Sequence, residues 1–442
     1  MRLKRLDPFN RSGGRISGGR ERHGIVPAGP GRVPRRLLFG AILIAVALPI
    51  LVSCGDGEED ATGDGDVPEN VPGVTDTEIK LGSHFALSQS PAAAYAPIIF
   101  GMRAYFDYVN DQGGVNGRKI TFIIGDDHYN PPDALEVVRK LVEQDNVLAI
   151  VGGLGEASHS AVYKYLEERG VPDLFITAGL LKWSEPVVKT RFAGSVDFVT
   201  EGRMLGKYAV DNYPGAKLGL LLQNDEMGVD SEKGLNMALE GSDVEVVAKE
   251  MYEAINFDAT AQTQRLRNAG AEVVIAFAIP PQAASLVKTA RETLTWDVPI
   301  LVSGIAVSEI FVDLAGAENA EGVVSIVMGH QIYETDQPGI QKHIEIMQEY
   351  GGGVAPSNFS LYGNAMGELT VEGLKRAGRD LTRESLVEAI ESIRGWYCSG
   401  CVVPVNFSPT DHRPLEIEMY NRVENGKWVA FGDLVSYEST PE

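Results

Sequence analysis

The sequence predicts an α/β fold of two doubly wound parallel-sheet lobes, and three observations carry that prediction. Apolar, β-branched runs recur at Ile79–Phe85, Thr121–Ile124, Val147–Val151, Leu174–Thr177, Leu218–Leu222, Val244–Ala248, Val273–Ala278 and Pro299–Val302. Short apolar runs bounded by turn residues read as buried strands. Helix-length segments punctuated by Gly or Pro lie between them, and strands that alternate with helices form parallel sheets covered on both faces. At 442 residues the chain is also long enough for two full cores.

The first 53 residues stand apart. They hold ten Lys/Arg against two Asp/Glu, a net +8, which leaves about −30 on the remainder. A body that acidic excludes nucleic acid as a partner, because phosphate binding needs a basic footprint. Arg35 and Arg36 precede an apolar run from Leu37 to Val52 that closes in Leu51-Val52-Ser53-Cys54. A charged start, an apolar middle and a small-residue end make residues 1–53 an export signal, and the run, broken by Pro49, is short for a membrane span. The last four residues match a bacterial lipobox, in which Cys54 becomes the acylated first residue of the mature chain. Residues 54–75 are acidic, Gly and Pro, unable to bury a core, and read as a disordered tether.

Local chemistry assigns the remaining elements. Pro97–Asn110 is helical, and Gly113-Gly114-Val115-Asn116-Gly117 supplies a left-handed helix end and a tight turn into the next strand. Asn130 caps a helix whose first residue is Pro131. Asp126 and Asp127 read as strand-end caps. Leu415–Arg422, a turn at Glu424-Asn425-Gly426 and Lys427–Phe431 form a β-hairpin.

Catalytic motifs are missing from the sequence. It has no G-x-S-x-G elbow, no Walker loop and no H-E-x-x-H, and its seven histidines show no metal-ligand spacing. An enzyme, a cofactor and a metal are therefore not expected. Binding fits better, since ligands in open α/β sheets sit outside the carboxyl ends of the strands. Three such ends are Ser88–Tyr95, Gly152–His159 and Thr177–Leu181. A Gly-rich turn entering a helix also offers free N–H groups.

The strand–helix–strand unit from Glu78 to Asp127 is the most telling segment. It contains Ser88-Gln89-Ser90-Pro91 leading to Tyr95, and the string from Gln112 to Ile120. It resembles the opening unit of the solute-binding proteins of ABC transporters, in the branched-chain amino-acid-binding group, and the resemblance extends over nearly all of the chain from Glu78 onward. It implies a type I periplasmic-binding-protein-like clamp joined by a three-segment hinge. Crossings are expected near Asp197, near Val327–His330 and near Cys398–Pro404. Lobe 1 would then be residues 76–197 and 330–400, and lobe 2 residues 198–329 and 401–442. The implied function is an extracytoplasmic, lipid-anchored protein that captures an amino acid or related solute and delivers it to membrane permease subunits. A clamp that reports to a signalling receptor is the alternative.

The resemblance also names site residues. Tyr95 falls where the family packs an aromatic on the ligand, and Asp197 falls near a position that meets an amino group. Glu156 and Leu181 stand where hydroxyl donors hold the ligand carboxylate, Met227 replaces an aromatic, and Ile305 stands where an acid of the second lobe is expected. Gly155 and Gly179 belong to the same two loops as Glu156 and Leu181. Ser158 and His159 are the remaining polar candidates, with an exposed helix face as the plainer placement. These departures imply a larger, more apolar pocket whose ligand is an amide, an amine or a bulkier apolar acid rather than leucine, isoleucine or valine.

With Cys54 acylated, Cys398 and Cys401 remain. Two thiols are too few for structural zinc, and a thioredoxin-type site belongs to another fold, so an extracytoplasmic disulfide is the expected state. Asp411 and His412, in a turn near the third crossing, are expected to pair with each other.

Overall fold

The computed structural model describes residues 71–414 and 417–436. The signal segment, Cys54 and the tether up to residue 70 lie outside the described residues. The stretch from Val71 to Thr75, expected as tether, is docked: Val74 is buried and bridges Ile79, and Lys80 N donates to Gly73 O at 2.7 Å.

The first lobe is built in chain order from β1 (Glu78–Phe85), α1 (Ala96–Asp111), β2 (Lys119–Asp126), α2 (Pro131–Glu143), β3 (Ala149–Val151), α3 (Glu156–Ser160), α4 (Tyr163–Glu168), β4 (Asp173–Ile176) and β5 (Arg191–Ala193). Its strands run parallel in the order β2-β1-β3-β4-β5. The chain then enters a second lobe with α5 (Phe198–Asn212), β6 (Lys217–Gln223), α6 (Glu226–Leu239), β7 (Glu245–Tyr252), α7 (Thr260–Asn268), β8 (Val273–Phe277), α8 (Pro280–Lys288), β9 (Ile300–Val302), α9 (Glu309–Ala315), α10 (Ala317–Ala320) and β10 (Val324–Val327). It returns to the first lobe for α11 (Pro338–Tyr350), α12 (Asn358–Ala377) and α13 (Arg383–Glu391). It ends in the hairpin β11 (Ile417–Glu424) and β12 (Lys427–Ser436) on the second sheet.

The second sheet has the order β12-β11-β10-β9-β8-β6-β7, parallel except for the antiparallel pairings of β11. Its parallel part repeats the winding of the first sheet. In both, strand order reverses at one point, β1/β3 and β6/β8, where such sheets open a crevice at their carboxyl ends.

Local sequence accounts for the element ends. Asn130 accepts from Asp133 N at 3.3 Å with Pro131 in the first turn of α2. After α1, Gly114 holds φ +80°, and a Cβ there would sit 2.0 Å from Arg118 O. Asn425 and Gly426 both have positive φ, as a two-residue hairpin turn that follows the strand twist requires. Each lobe also has one close helix crossing. In the first, Cβ atoms at Gly101 and Gly363 would meet Ser360 O at 2.1 Å and Ile98 O at 1.8 Å, so α1 and α12 touch backbone to backbone. In the second, Gly202 and Gly234 do the same between α5 and α6, at 2.2 Å from Ser231 O and 1.9 Å from Val199 O.

Two strands escape a reading by pattern, β5 and β10, because Arg191 in the one and Ser325 in the other interrupt the short apolar run that marks β3 and β9. The third crossing also comes later than Cys401. Phe407 packs with Phe175 and Phe192 in the core of the first lobe, and Ala193 N donates to His412 O at 3.1 Å. His412 bonds Arg191 O (2.8 Å) and Glu391 (3.1 Å) rather than Asp411, which pairs with Arg413 at 3.2 Å. The backbone carbonyl and the Glu391 carboxylate satisfy both ring nitrogens, so nothing is left for Asp411.

Candidate ligand-binding cleft

Loops at the carboxyl ends of β1, β3 and β4 face the loop after β9 across the lobes. Between them lies a cavity of about 220 Å³, more than the ~150 Å³ that accepts a benzene molecule. Tyr95, Gly155, Glu156, Gly179 and Ile305 line it. Tyr129, Glu201 and Glu418 line it as well, and these the sequence did not single out.

The lobes are in direct contact around this space. Tyr95 Oη donates to Ile305 O at 3.2 Å. On one side Leu181 N donates to Asp230 at 3.1 Å, Ser160 Oγ to Glu226 at 3.2 Å, and Lys182 forms an ion pair with Glu226. On the other, Asn358 N donates to Glu309 at 3.2 Å. The arrangement is a closed clamp.

Glu156 opens α3 after Gly155, whose φ of +92° needs glycine. Its carboxylate turns inward and accepts from Gly179 N at 3.1 Å and Tyr129 Oη at 3.3 Å. A side chain of the protein thus occupies the loop donor that a ligand carboxylate would use. Burial, and then Asp225, push Glu156 up to about 7 against those hydrogen bonds. Glu201, in the first turn of α5, is likewise pushed up to about 7 by burial, with Ser303 and Gly304 pulling it down. Glu418 lies well above the ordinary carboxylate range through burial and the nearby Glu201 and Asp197. Glu201 Oε1 and Glu418 Oε2 have no hydrogen-bond partner among the described residues.

The other expected residues lie off the cavity, each for a visible reason. Asp197 caps α5, taking Val199 N (3.0 Å), Thr200 N (2.9 Å) and Thr200 Oγ1 (2.9 Å), which occupies its carboxylate. Met227 is wholly buried in the second core. Leu181 serves the rim through its backbone. Ser158 and His159 are fully buried rather than on an exposed helix face. His159 belongs to a chain of four buried groups beneath the Gly152–Gly155 loop. Asp127 meets His84 Nδ1 at 2.7 Å, His84 Nε2 meets His159 Nδ1 at 3.0 Å, and His159 Nε2 meets Asp173 at 2.9 Å. Gly153 lies directly over both rings, since a Cβ there would come within 2.5 Å of His84 Nε2.

The raised carboxyls give an expected pH dependence. Glu156 and Glu201 keep a proton in the folded protein where the unfolded chain has lost it. The folded state therefore binds more protons between about 4.5 and 7, and stability falls as pH rises through that window. Each group contributes roughly 3 kcal/mol to the fall. Thermal midpoints of the unliganded protein should drop from pH 5 to pH 8, and Glu156→Gln should flatten the slope. A midpoint that rose over this interval would contradict the burial of these acids.

Comparison with known proteins agrees with this geometry. Residues 78–420 match the model of the periplasmic binding protein family. A Leu/Ile/Val-binding protein homolog of Brucella suis is 25% identical over 304 residues, covering 66% of this chain and 77% of that one. The structure is similar to a branched-chain amino-acid ABC transporter protein of Thermus thermophilus with bound valine (TM-score 0.75, 20% identity, 83% of this chain and 98% of that one). It is also similar to a fatty-acid ABC transporter substrate-binding protein of Thermomonospora curvata (TM-score 0.73, 26% identity, 84% and 96%). Taken with the two lobes and the cleft between them, these matches show that the chain belongs to the periplasmic binding protein family.

Proposed function

We propose that the protein is an extracytoplasmic solute-binding lipoprotein that closes two lobes around a small molecule and presents it to a membrane permease, without chemical change. The observation that carries this reading is the cavity of about 220 Å³ walled by both lobes. A site split between two bodies joined by three hinge segments couples occupancy to closure, because ligand contacts with the second lobe exist only when it is shut. The largely apolar lining and the carboxylate of Glu156 on the loop donor favour a ligand other than a branched-chain amino acid. The signal segment with Cys54 supports a lipid anchor.

Thermal unfolding of the full chain against amino acids, amides, amines and small carboxylates tests the binding. A ligand at 100 times its dissociation constant adds about 2.7 kcal/mol and raises the midpoint by several degrees. Ala365→Phe, which fills the cavity from α12, should abolish the rise and leave the fold intact. A rise that survived this substitution would place the ligand elsewhere. The anchor is tested separately by labelled fatty-acid incorporation in cells, expected for the natural chain and lost in Cys54→Ser.

A further inference from the structure

The polar groups on the cavity wall form an unbalanced set. Every side-chain hydroxyl on the lining already donates within the protein. Tyr95 donates to Ile305 O and Tyr129 to Glu156. Thr177 Oγ1 donates to Gly152 O (3.2 Å), Ser195 Oγ to Ala178 O (3.3 Å) and Tyr362 Oη to Gly194 O (3.0 Å). The lining amides are used too, Gln331 on Gly329 O at 3.2 Å and Asn358 on Gln331 at 2.7 Å. Among the buried side-chain atoms of the lining, the unpartnered ones are acceptors, Glu201 Oε1 and Glu418 Oε2, on residues only 5% and 4% exposed. No Lys or Arg is among the lining residues described.

A buried acceptor without a donor costs free energy, and like charges in a dry cavity repel. A ligand carboxylate would meet three carboxyl groups and no free hydroxyl. A cation with N–H donors supplies what the wall lacks.

Building on the solute-binding reading of this cleft, we propose that the ligand is a primary or secondary amine that carries an apolar body and no carboxylate, its ammonium held by Glu201 and Glu418. The apolar body lies against Ile279, Ile305, Phe359 and Met366 on the same wall. Without ligand, the acid pair keeps a proton. When the ammonium enters, that proton leaves to solvent, so the net charge of the pair and its occupant is the same before and after binding. Asp197, the nearest further acid, stays engaged as the cap of α5.

The test is titration calorimetry of the full chain at pH 7 with 3-methylbutylamine and 2-phenylethylamine. Probes of similar shape, 4-methylpentanoate, 3-phenylpropionate and 3-methylbutan-1-ol, serve as comparison. Each is run in phosphate and in Tris, whose ionisation enthalpies differ. The amines should bind at least tenfold more tightly than the carboxylates and the alcohol. Their heats should differ between buffers in the sense of proton release. Glu201→Gln and Glu418→Gln should each weaken the amines tenfold or more and abolish the buffer difference, while circular dichroism shows them folded. If either fails to fold, the wild-type buffer difference still decides the point. Carboxylate or alcohol binding without amine binding would overturn the amine assignment and leave the solute-binding reading standing. Silence from all five probes, together with silence from the wider panel, would overturn both.

Discussion

Gly363→Ala is expected to destabilise the protein by about 3 kcal/mol, although helix propensity alone favours the change by roughly 1 kcal/mol. Gly363 lies in α12, and a Cβ there would sit 1.8 Å from Ile98 O and 2.6 Å from Ile98 C. These are backbone atoms of α1, so no side chain can swing aside. The two helices must part, and Gly101 on α1 faces the same constraint from Ser360. α1 follows directly on Tyr95, and α12 carries Tyr362, Ala365 and Met366 of the cavity wall. Separation should therefore lower ligand affinity along with stability. Urea unfolding measures the first and titration the second. A raised midpoint would mean that the helices are not in backbone contact. Gly234→Ala should behave alike in the second lobe, where the obstacle is Val199 O at 1.9 Å.

His84→Leu is expected to cost about 3 kcal/mol, because it strips a hydrogen-bond partner from both Asp127 and His159 in the buried interior. His84, Asp127 and His159 are fully buried and Asp173 is nearly so. Three contacts of 2.7, 3.0 and 2.9 Å link the four groups into one buried polar chain, so each imidazole is held by two partners. Burial pulls His159 below its ordinary range, with Asp173 pulling the other way. Leucine at position 84 would leave Asp127 with only Tyr129 N, at 2.8 Å, on its other oxygen, and His159 Nδ1 without a partner. A double-mutant cycle of His84→Leu and Asp127→Leu should show coupling above about 1.5 kcal/mol, since contacting residues are not additive. Additive losses would mean that the two act independently. Because Gly153 rests on both rings, the substitution should also loosen the loop that carries Glu156.

The placement of these groups marks where reading the chain gives way to reading the fold. The Gly113–Gly117 string, the Asn130-Pro131 helix start and the Asn425-Gly426 turn were legible because each is a local backbone requirement. Their chemistry is complete within a few residues. Tyr95, Gly155, Glu156, Gly179 and Ile305 were placed by loops that follow strands, and a parallel sheet brings all such loops to one edge. Asp197 was legible as a polar residue at a crossing. Its use as a helix cap depends on where α5 begins, and only the backbone path shows that. His84 and His159 are 75 residues apart, and no periodicity announces that two scattered histidines meet ring to ring.

Glu201 and Glu418 illustrate the difference most directly. Glu201 lies one helical turn after Asp197, a spacing visible in the chain, yet acidic residues in a first helical turn usually face water. Glu418 belongs to a strand whose simple alternation would align Ile417 and Met419 with the buried Asn421 and Val423. An irregularity in the pairing of β11 and β12 between Glu418 and Tyr420 shifts the phase and turns Glu418 inward.

By itself the sequence determined the fold class, the two lobes, the order of most strands and helices, and the loops that meet at the cleft. Those depend on hydrophobic period, turn chemistry and sheet winding, which are properties of short segments. Tertiary structure alone decided which side chains face the cavity, which carboxyls lack partners and where the third crossing falls. Those depend on contacts between residues hundreds of positions apart and on the loss of water around them, and neither is written in any one stretch of the chain.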